Sequence, residues 1–317
     1  MKHRKISCIP SFHSKDGEKT KKAENRRAEL DQNPDEVYTL IMSDIDFAKP
    51  WTEQTFVAFD TETSSAYPIG SDIVEFGAVK WRDGKIIDEL QILIKPRELM
   101  SDFIIGIHGI TNEMVEKAPT FKEVIGRIDQ FIHGHILMAH HAAFDMGFMA
   151  YEYEKNGLEF PLQPVLCTSL ISRKKILGCE NHKLQTLVRY LGIDGGSAHR
   201  ALDDARACLY VGLKSFEKIG DKATLQDIYQ VQGTSLEWKN FVILGHPDPM
   251  IKKIIEATNG KKVLEIVYSK GKGQETRKVK PWGLVRNPDG DYLYALCMND
   301  NSNKRFYLNK IKASVVL

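Results

Sequence analysis

Between Thr55 and Glu62 the chain reads Thr-Phe-Val-Ala-Phe-Asp-Thr-Glu, an apolar run that ends in two acids two positions apart. Such a run predicts a buried strand, and residues two apart on a strand project from the same face. Asp60 and Glu62 therefore leave the sheet side by side. Asp145 follows Ala142-Ala143-Phe144, and Asp204 follows His199-Arg200-Ala201-Leu202-Asp203, so four acids sit in apolar settings. Burying an ionised carboxylate is costly unless a partner compensates. The natural partner for a converging set of hard oxygen ligands is a pair of divalent cations such as Mg²⁺ or Mn²⁺. The chemistry implied is metal-assisted phosphodiester hydrolysis.

The pattern around this strand predicts an α/β fold. Thr55–Thr61, Ile73–Trp81 and Ile86–Ile94 read as strands, the last two joined by Arg82-Asp83-Gly84-Lys85. A helix over Phe121–His133 follows from apolar spacing at Phe121, Val124, Ile125, Ile128, Phe131 and Ile132. Then come a strand at Ile136–Ala139, a helix from Ala143 stopped by Gly157, a strand at Val165–Thr168, and helices at His182–Leu191 and Ala201–Lys218. Hairpin-linked strands followed by alternating helices and short strands predict a mixed sheet flanked by helices, the ribonuclease H-like architecture, over residues 51–220. Residues 221–259, with the breakers Gly245-His246-Pro247-Asp248-Pro249, read as a linker with helical segments. Strands at Val263–Tyr268, Arg277–Val285, Tyr292–Met298 and Arg305–Ile311 predict a small SH3/Sm-like antiparallel β-barrel over 260–317. Residues 1–50 read as a disordered polar and basic leader, with a nascent helix near Ala23–Leu30.

Bulk properties narrow the class. A chain of 317 residues has room for two domains, and 42% hydrophobic with 27% charged residues is ordinary for a globular protein. No apolar run approaches the roughly 18 residues that span a bilayer, so no membrane partner is expected. Cys8, Cys167, Cys179, Cys208 and Cys297 show no Cys-x-x-Cys spacing and read as reduced thiols of a cytoplasmic protein. The net charge of +2 is unevenly spread: residues 251–317 hold 14 Lys/Arg against 6 Asp/Glu, residues 51–250 hold 20 against 27. Attraction for a polyanion is thus expected at the C-terminal end.

His199 lies five residues before Asp204. On one helix the two would stand about 140° apart, which places His199 in the loop leading into the helix. Asp60-Thr61-Glu62-Thr63, His140-His141-Ala142-Ala143-Phe144-Asp145 and His199-Arg200-Ala201-Leu202-Asp203-Asp204-Ala205 resemble the three motifs of the DnaQ-like, DEDDh-type 3′→5′ exonucleases, among them the proofreading subunit of bacterial replicative polymerase. The likeness extends through Ile107-His108-Gly109-Ile110-Thr111 and Lys183–Leu191, over roughly 55 to 217. It implies that Asp60, Glu62, Asp145 and Asp204 hold two Mg²⁺ or Mn²⁺ ions and that His199 is the general base. It implies that Thr61, Thr63, Ile107, His108, His140, His141 and Phe144 lie along the substrate. The family usually carries Asn where this chain has His141. The implied partner is a nucleic acid with a 3′ end, single-stranded DNA foremost, with a polymerase or other repair protein as a further partner.

Lys280-Pro281-Trp282-Gly283-Leu284, Asp291-Tyr292-Leu293-Tyr294-Ala295 and Arg305-Phe306-Tyr307-Leu308-Asn309-Lys310-Ile311 resemble a WYL domain over about 260 to 317. Asp291 replaces the Trp of the eponymous triplet. The resemblance implies ligand or nucleic-acid contacts through Tyr268, Arg277, Arg286, Tyr294, Arg305 and Tyr307, cations gripping phosphate while rings stack on bases. The alternative from another class is a nucleic-acid-sensing regulatory protein in which the nuclease fold serves for binding.

Overall fold

A computed structural model describes residues 45–271, 273–286 and 290–317; the leader and its nascent helix fall outside the described residues up to position 44. Strand β1 (Phe56–Thr63) is the middle of a five-stranded sheet of order β3-β2-β1-β4-β5. It pairs antiparallel with β2 (Ile73–Arg82), which pairs with β3 (Lys85–Leu93). On its other edge it runs parallel to β4 (Ile136–Ala139), which neighbours β5 (Leu166–Cys167).

The alternation along β1 divides the core. Val57 and Phe59 pack with helices α3 (Phe121–Ile132) and α4 (Ala143–Asn156). Phe56 and Ala58 face the other way, against Cys208, Leu209, Leu213 and Phe216 of α7 (Ala201–Glu217). Asp60 and Glu62 continue the α7 face, and Thr61 and Thr63 continue the α3/α4 face. The C-terminal end of β1 is therefore the place where acids from both helical layers can meet. One glycine makes the α7 layer fit. Gly77, paired with Asp60 across the ladder, lies so close to the start of α7 that a Cβ there would stand 2.2 Å from the Ala201 carbonyl carbon. No side chain can occupy that position without lifting α7 off the sheet.

Several elements escaped the periodicity argument. Helices α1 (Asp102–His108) and α2 (Asn112–Val115) fill the stretch before α3, and α5 (Thr168–Lys175) directly follows β5. α6 (Leu184–Leu191) starts two residues later than expected. In the 221–259 stretch, Thr224 and Asp227 form a capping box on α8 (Leu225–Gln232). The breaker Pro249 is the first turn of α9 (Pro249–Asn259), capped by Asp248 accepting from Met250 N–H at 2.8 Å. Proline is tolerated there because its missing N–H has no helical partner anyway. Before α9, the Glu154 carboxylate accepts from the N–H groups of Ile243, Leu244 and Gly245 at 2.7, 3.0 and 3.0 Å.

The C-terminal strands β6 (Leu264–Lys270), β7 (Gly273–Val285), β8 (Tyr292–Cys297), β9 (Ser302–Tyr307) and β10 (Ile311–Val316) form a second antiparallel sheet, in the order β10-β6-β7-β8-β9. Two expectations change here. Among the described residues there are five strands: the segment expected as one strand over Arg305–Ile311 breaks at the turn Leu308–Lys310, and β10 follows. The sheet is open, with β9 and β10 as its edges among the described residues, where a closed barrel was expected. Its apolar face is covered instead by Ile251, Ile254 and Ile255 of α9.

That core also takes a piece of the first sheet's scaffold. Ile69, in the loop between β1 and β2, is fully buried in it and bridges Leu284, whose N–H donates to the Ile69 carbonyl at 3.2 Å. Gly283 admits the loop, since a Cβ there would stand 2.1 Å from Cβ of Tyr67. Tyr67 stacks on Tyr294 with ring centroids 4.8 Å apart. The segment that follows Asp60 and Glu62 is thus seated on the C-terminal sheet.

Candidate active site

Four elements bring five side chains together. Asp145, in the first turn of α4, reaches β1 from the opposite layer: its Oδ1 accepts from the Thr61 N–H at 3.0 Å and the Thr61 hydroxyl at 2.8 Å. Asp204, in the first turn of α7, accepts from Gln185 Nε2 of α6 at 2.8 Å and from the His199 N–H at 3.0 Å. His199 is exposed, in the left-handed region at φ 62°, just before α7. Possible ligand atoms of Glu62, His199 and Asp204 lie within 4.8 Å of one another.

The acids repel one another in a dry setting. Burial, then the charges of Asp145, Glu62, Asp204 and Glu75, holds Asp60 well above the usual carboxylate range. Glu62 is pushed up to about 8, by burial first and then by Asp204, Glu75 and Asp145, with Arg200 pulling the other way. Asp145 rises to about 7 because burial outweighs the two bonds from Thr61. Burial raises Asp204 too, against the His199 N–H bond. Among the described residues no Lys or Arg forms an ion pair with any of these four; Arg200 is engaged by Glu75. A cluster of oxygen donors short of positive charge fits divalent cations.

The residues expected along the substrate divide into two groups. Ile107 and Phe144 are exposed, Phe144 with its ring 5.1 Å from Phe148. His141 is exposed at φ 58°, in the left-handed region that Asn and His enter more readily than most residues. That backbone is one which His tolerates as Asn does. The others are committed internally. Thr61 serves Asp145, and the Thr63 hydroxyl donates to the Ser65 carbonyl at 2.7 Å. His140 is buried, its Nδ1 2.9 Å from the Thr168 hydroxyl and its Nε2 3.0 Å from the His182 carbonyl. A carbonyl only accepts, so Nε2 carries the proton; burial, then His141, lowers this histidine to about 4 and keeps it neutral. His108 is buried with Nδ1 accepting from the Ile110 N–H at 3.0 Å, while its Nε2 has no partner among the described residues. Sequence reasoning missed Gln185, although it lies within the Lys183–Leu191 stretch of the resemblance, and Glu75, an acid inside the apolar run Ile73-Val74-Glu75-Phe76 that carried the same signal as Asp60.

The C-terminal candidates also separate. Arg277 is tied to Glu275 and, at 3.3 Å, to Asp300. Arg286 bonds the Val242 carbonyl and pairs with Asp291 at 2.9 Å. Both hold structure together. Tyr268 packs edge-on against Phe306 of the core, centroids 5.2 Å apart. Arg305, by contrast, lies 5.1 Å over the Tyr292 ring, Lys310 lies 5.4 Å over Tyr307, and Lys280 lies 5.4 Å over Trp282. By strand register Tyr292, Tyr294, Arg305 and Tyr307 share one face of the sheet, where Tyr294 is stacked on Tyr67.

Residues 57–211 match the exonuclease family model (RNase_T), and residues 249–316 match the WYL domain model. The chain carries an exonuclease domain and a WYL domain. The PolC-type DNA polymerase III of Bacillus cereus is 35% identical over 170 residues, that of Bacillus subtilis 36% over 171; each alignment covers 54% of this chain and 12% of the polymerase. The chain therefore spans about an eighth of the length of these relatives. Among solved structures, exonuclease X in complex with 5′-overhanging duplex DNA is 24% identical, with a TM-score of 0.44, over 56% of this chain and 99% of that one. The nuclease domain of 3′hExo, a DEDDh family member bound to rAMP, is 20% identical, with a TM-score of 0.48, over 55% and 96%. No helix among the described residues is long and apolar enough to cross a membrane.

Proposed function

We propose that this protein is a metal-dependent 3′→5′ exonuclease that removes nucleoside 5′-monophosphates from single-stranded DNA, with RNA as a second substrate. The observation that carries the reading is the meeting of Glu62, Asp204 and the exposed His199, whose possible ligand atoms lie within 4.8 Å of one another, beside Asp60 and Asp145, with no Lys or Arg paired to the four acids among the described residues. Those four acids would hold two divalent cations, Mg²⁺ or Mn²⁺, whose charge offsets that of the phosphodiester under attack. His199 would take the proton from the attacking water as general base; its seat on a loop leaves the ring room to reach it. Thr61 orients Asp145, and Gln185 orients Asp204. Ile107 and Phe144 offer apolar surface to the terminal base and sugar. Tyr294, Arg305 and Tyr307 would meet the strand farther from its 3′ end, rings stacking and Arg305 pairing with phosphate. Domain limits near 51–220 and 260–317, joined by the 221–259 segment, suit this division of labour. A replicative polymerase is the partner the PolC relatives suggest.

The test is an oligonucleotide labelled at its 5′ end, in DNA and RNA forms, with Mg²⁺ or Mn²⁺. A ladder of shortening products is expected, and His199→Ala should slow it by roughly 10²–10⁴-fold. Binding without shortening under either metal would overturn the nuclease reading and favour a nucleic-acid sensor.

A further inference from the structure

Glu75 is fully buried on β2, directly across the ladder from Glu62. Unlike its neighbour, it is saturated with donors. Its Oε1 accepts from Arg200 Nη2 at 2.7 Å and from Gln91 Nε2 at 2.8 Å. Its Oε2 accepts from Arg200 Nε at 3.2 Å and from the Ala201 N–H at 3.0 Å. The residue at the N-cap of α7 is Arg200, whose side chain makes no cap bond. Glu75 therefore supplies the cap from another element: a carboxylate at the positive end of a seventeen-residue helix, bonded to its first N–H. Asp204, one turn into the same helix, holds the N–H of His199 from the other side. The turn from His199 to Ala201 is clamped between these two carboxylates, and Gly77 lets it sit on the sheet.

We infer that Glu75 is a positioning residue for the reaction: through the Arg200 guanidinium and the Ala201 N–H it sets where His199 stands over Asp60 and Glu62, while Asp204 keeps its own bond to Gln185. The inference rests on the nuclease reading above for its consequence, though not for its geometry. Glu75 has no unused bond for a substrate and acts only through the turn it holds. A bidentate carboxylate–guanidinium pair fixes direction as well as distance, and the left-handed backbone of His199 persists only where its surroundings enforce it. Loosening the pair should move the imidazole while leaving β1, with Asp60 and Glu62, in place.

The experiment compares full-length wild type, Glu75→Gln, Arg200→Lys, His199→Ala and the double variant Glu75→Gln/His199→Ala. With Mn²⁺ and a single-stranded oligonucleotide, Glu75→Gln should lower kcat roughly 10- to 100-fold, as expected for a small misplacement of a catalytic group, with KM within about threefold. In the His199→Ala background the same substitution should cost less than about twofold, because the group it positions is already gone. A cost that multiplies equally in both backgrounds, or a lower melting temperature with unchanged kcat per folded molecule, would reduce Glu75 to a structural brace and overturn the inference. A second readout needs no turnover. In metal-free protein the His199 ring resonance should shift in Glu75→Gln and in Arg200→Lys, and an unchanged resonance in both would refute the positioning role. If wild type cuts no strand, the nuclease reading fails while the resonance still decides about Glu75. Arg200→Lys keeps the charge but loses the fork, so it carries the test should Glu75→Gln not fold.

Discussion

Charge is handled in opposite ways at the two ends of this molecule. In the exonuclease domain four acids, three of them buried and Asp60 half-buried, gather with no Lys or Arg paired to them among the described residues, and burial and mutual repulsion raise their proton affinities. In the WYL domain several cations find partners. Arg277 and Arg286 pair with acids, while Lys280, Arg305 and Lys310 lie over aromatic rings. A satisfied charge holds structure, and charge left without a counterion marks where a ligand belongs. Glu62 and Glu75 make the same contrast at the scale of one ladder pair.

The contrast breaks most severely if an unpaired acid is removed. Asp60→Ala should lower Mn²⁺-dependent shortening by more than about a thousandfold while leaving the fold intact, measured by initial rate and circular dichroism. Next in size is the packing that brings the acids together. Gly77→Val should cost several kcal/mol or prevent folding, because the clash is with the backbone of α7; urea denaturation reads it.

A smaller effect follows from linkage. Glu62, near 8 when folded, keeps a proton that the unfolded chain releases at about 4.3. The folded state thus binds more protons through this window, and stability without metal should fall as pH rises from about 5 to about 8. Asp145, near 7, adds to the same trend. Mn²⁺ should reverse it, since it prefers the ionised acids, and melting curves in EDTA and in Mn²⁺ would show the crossing. Smaller still, Tyr307→Ala together with Arg305→Ala should raise oligonucleotide KM about fivefold or more with kcat unchanged. Arg277→Ala, already paired within the sheet, should leave KM unaltered. A KM that responds to Arg277 but not to Arg305 would invert the account of the WYL face.

Much of this was readable in the chain because the signals are local. β1 is an apolar run, the two acids two apart follow from strand geometry, and Gly157 ends α4 in the left-handed conformation that a helix stop calls for. What stayed hidden depends on distant partners. Glu75 carried the same signal as Asp60, an acid in an apolar run, but the difference between them is Arg200, 125 residues away. Arg277 and Arg305 look alike in sequence, and only the fold shows that one also reaches Asp300, 23 residues away, and the other Tyr292. Pro249 read as a breaker because a proline marks both the end of one element and the first turn of the next. β10 went unseen behind the short turn at Leu308–Lys310, and the open sheet because α9, not strand closure, covers its apolar face.

The central claim is that the uncompensated acids are a binding site for divalent cations. Titrating Mn²⁺ calorimetrically into metal-free protein tests it without relying on turnover. Saturable binding in wild type, abolished in Asp60→Ala and in Asp145→Ala and retained in Arg277→Ala, is the predicted result. Binding that is absent from wild type, or that survives loss of Asp60 and Asp145, would contradict it.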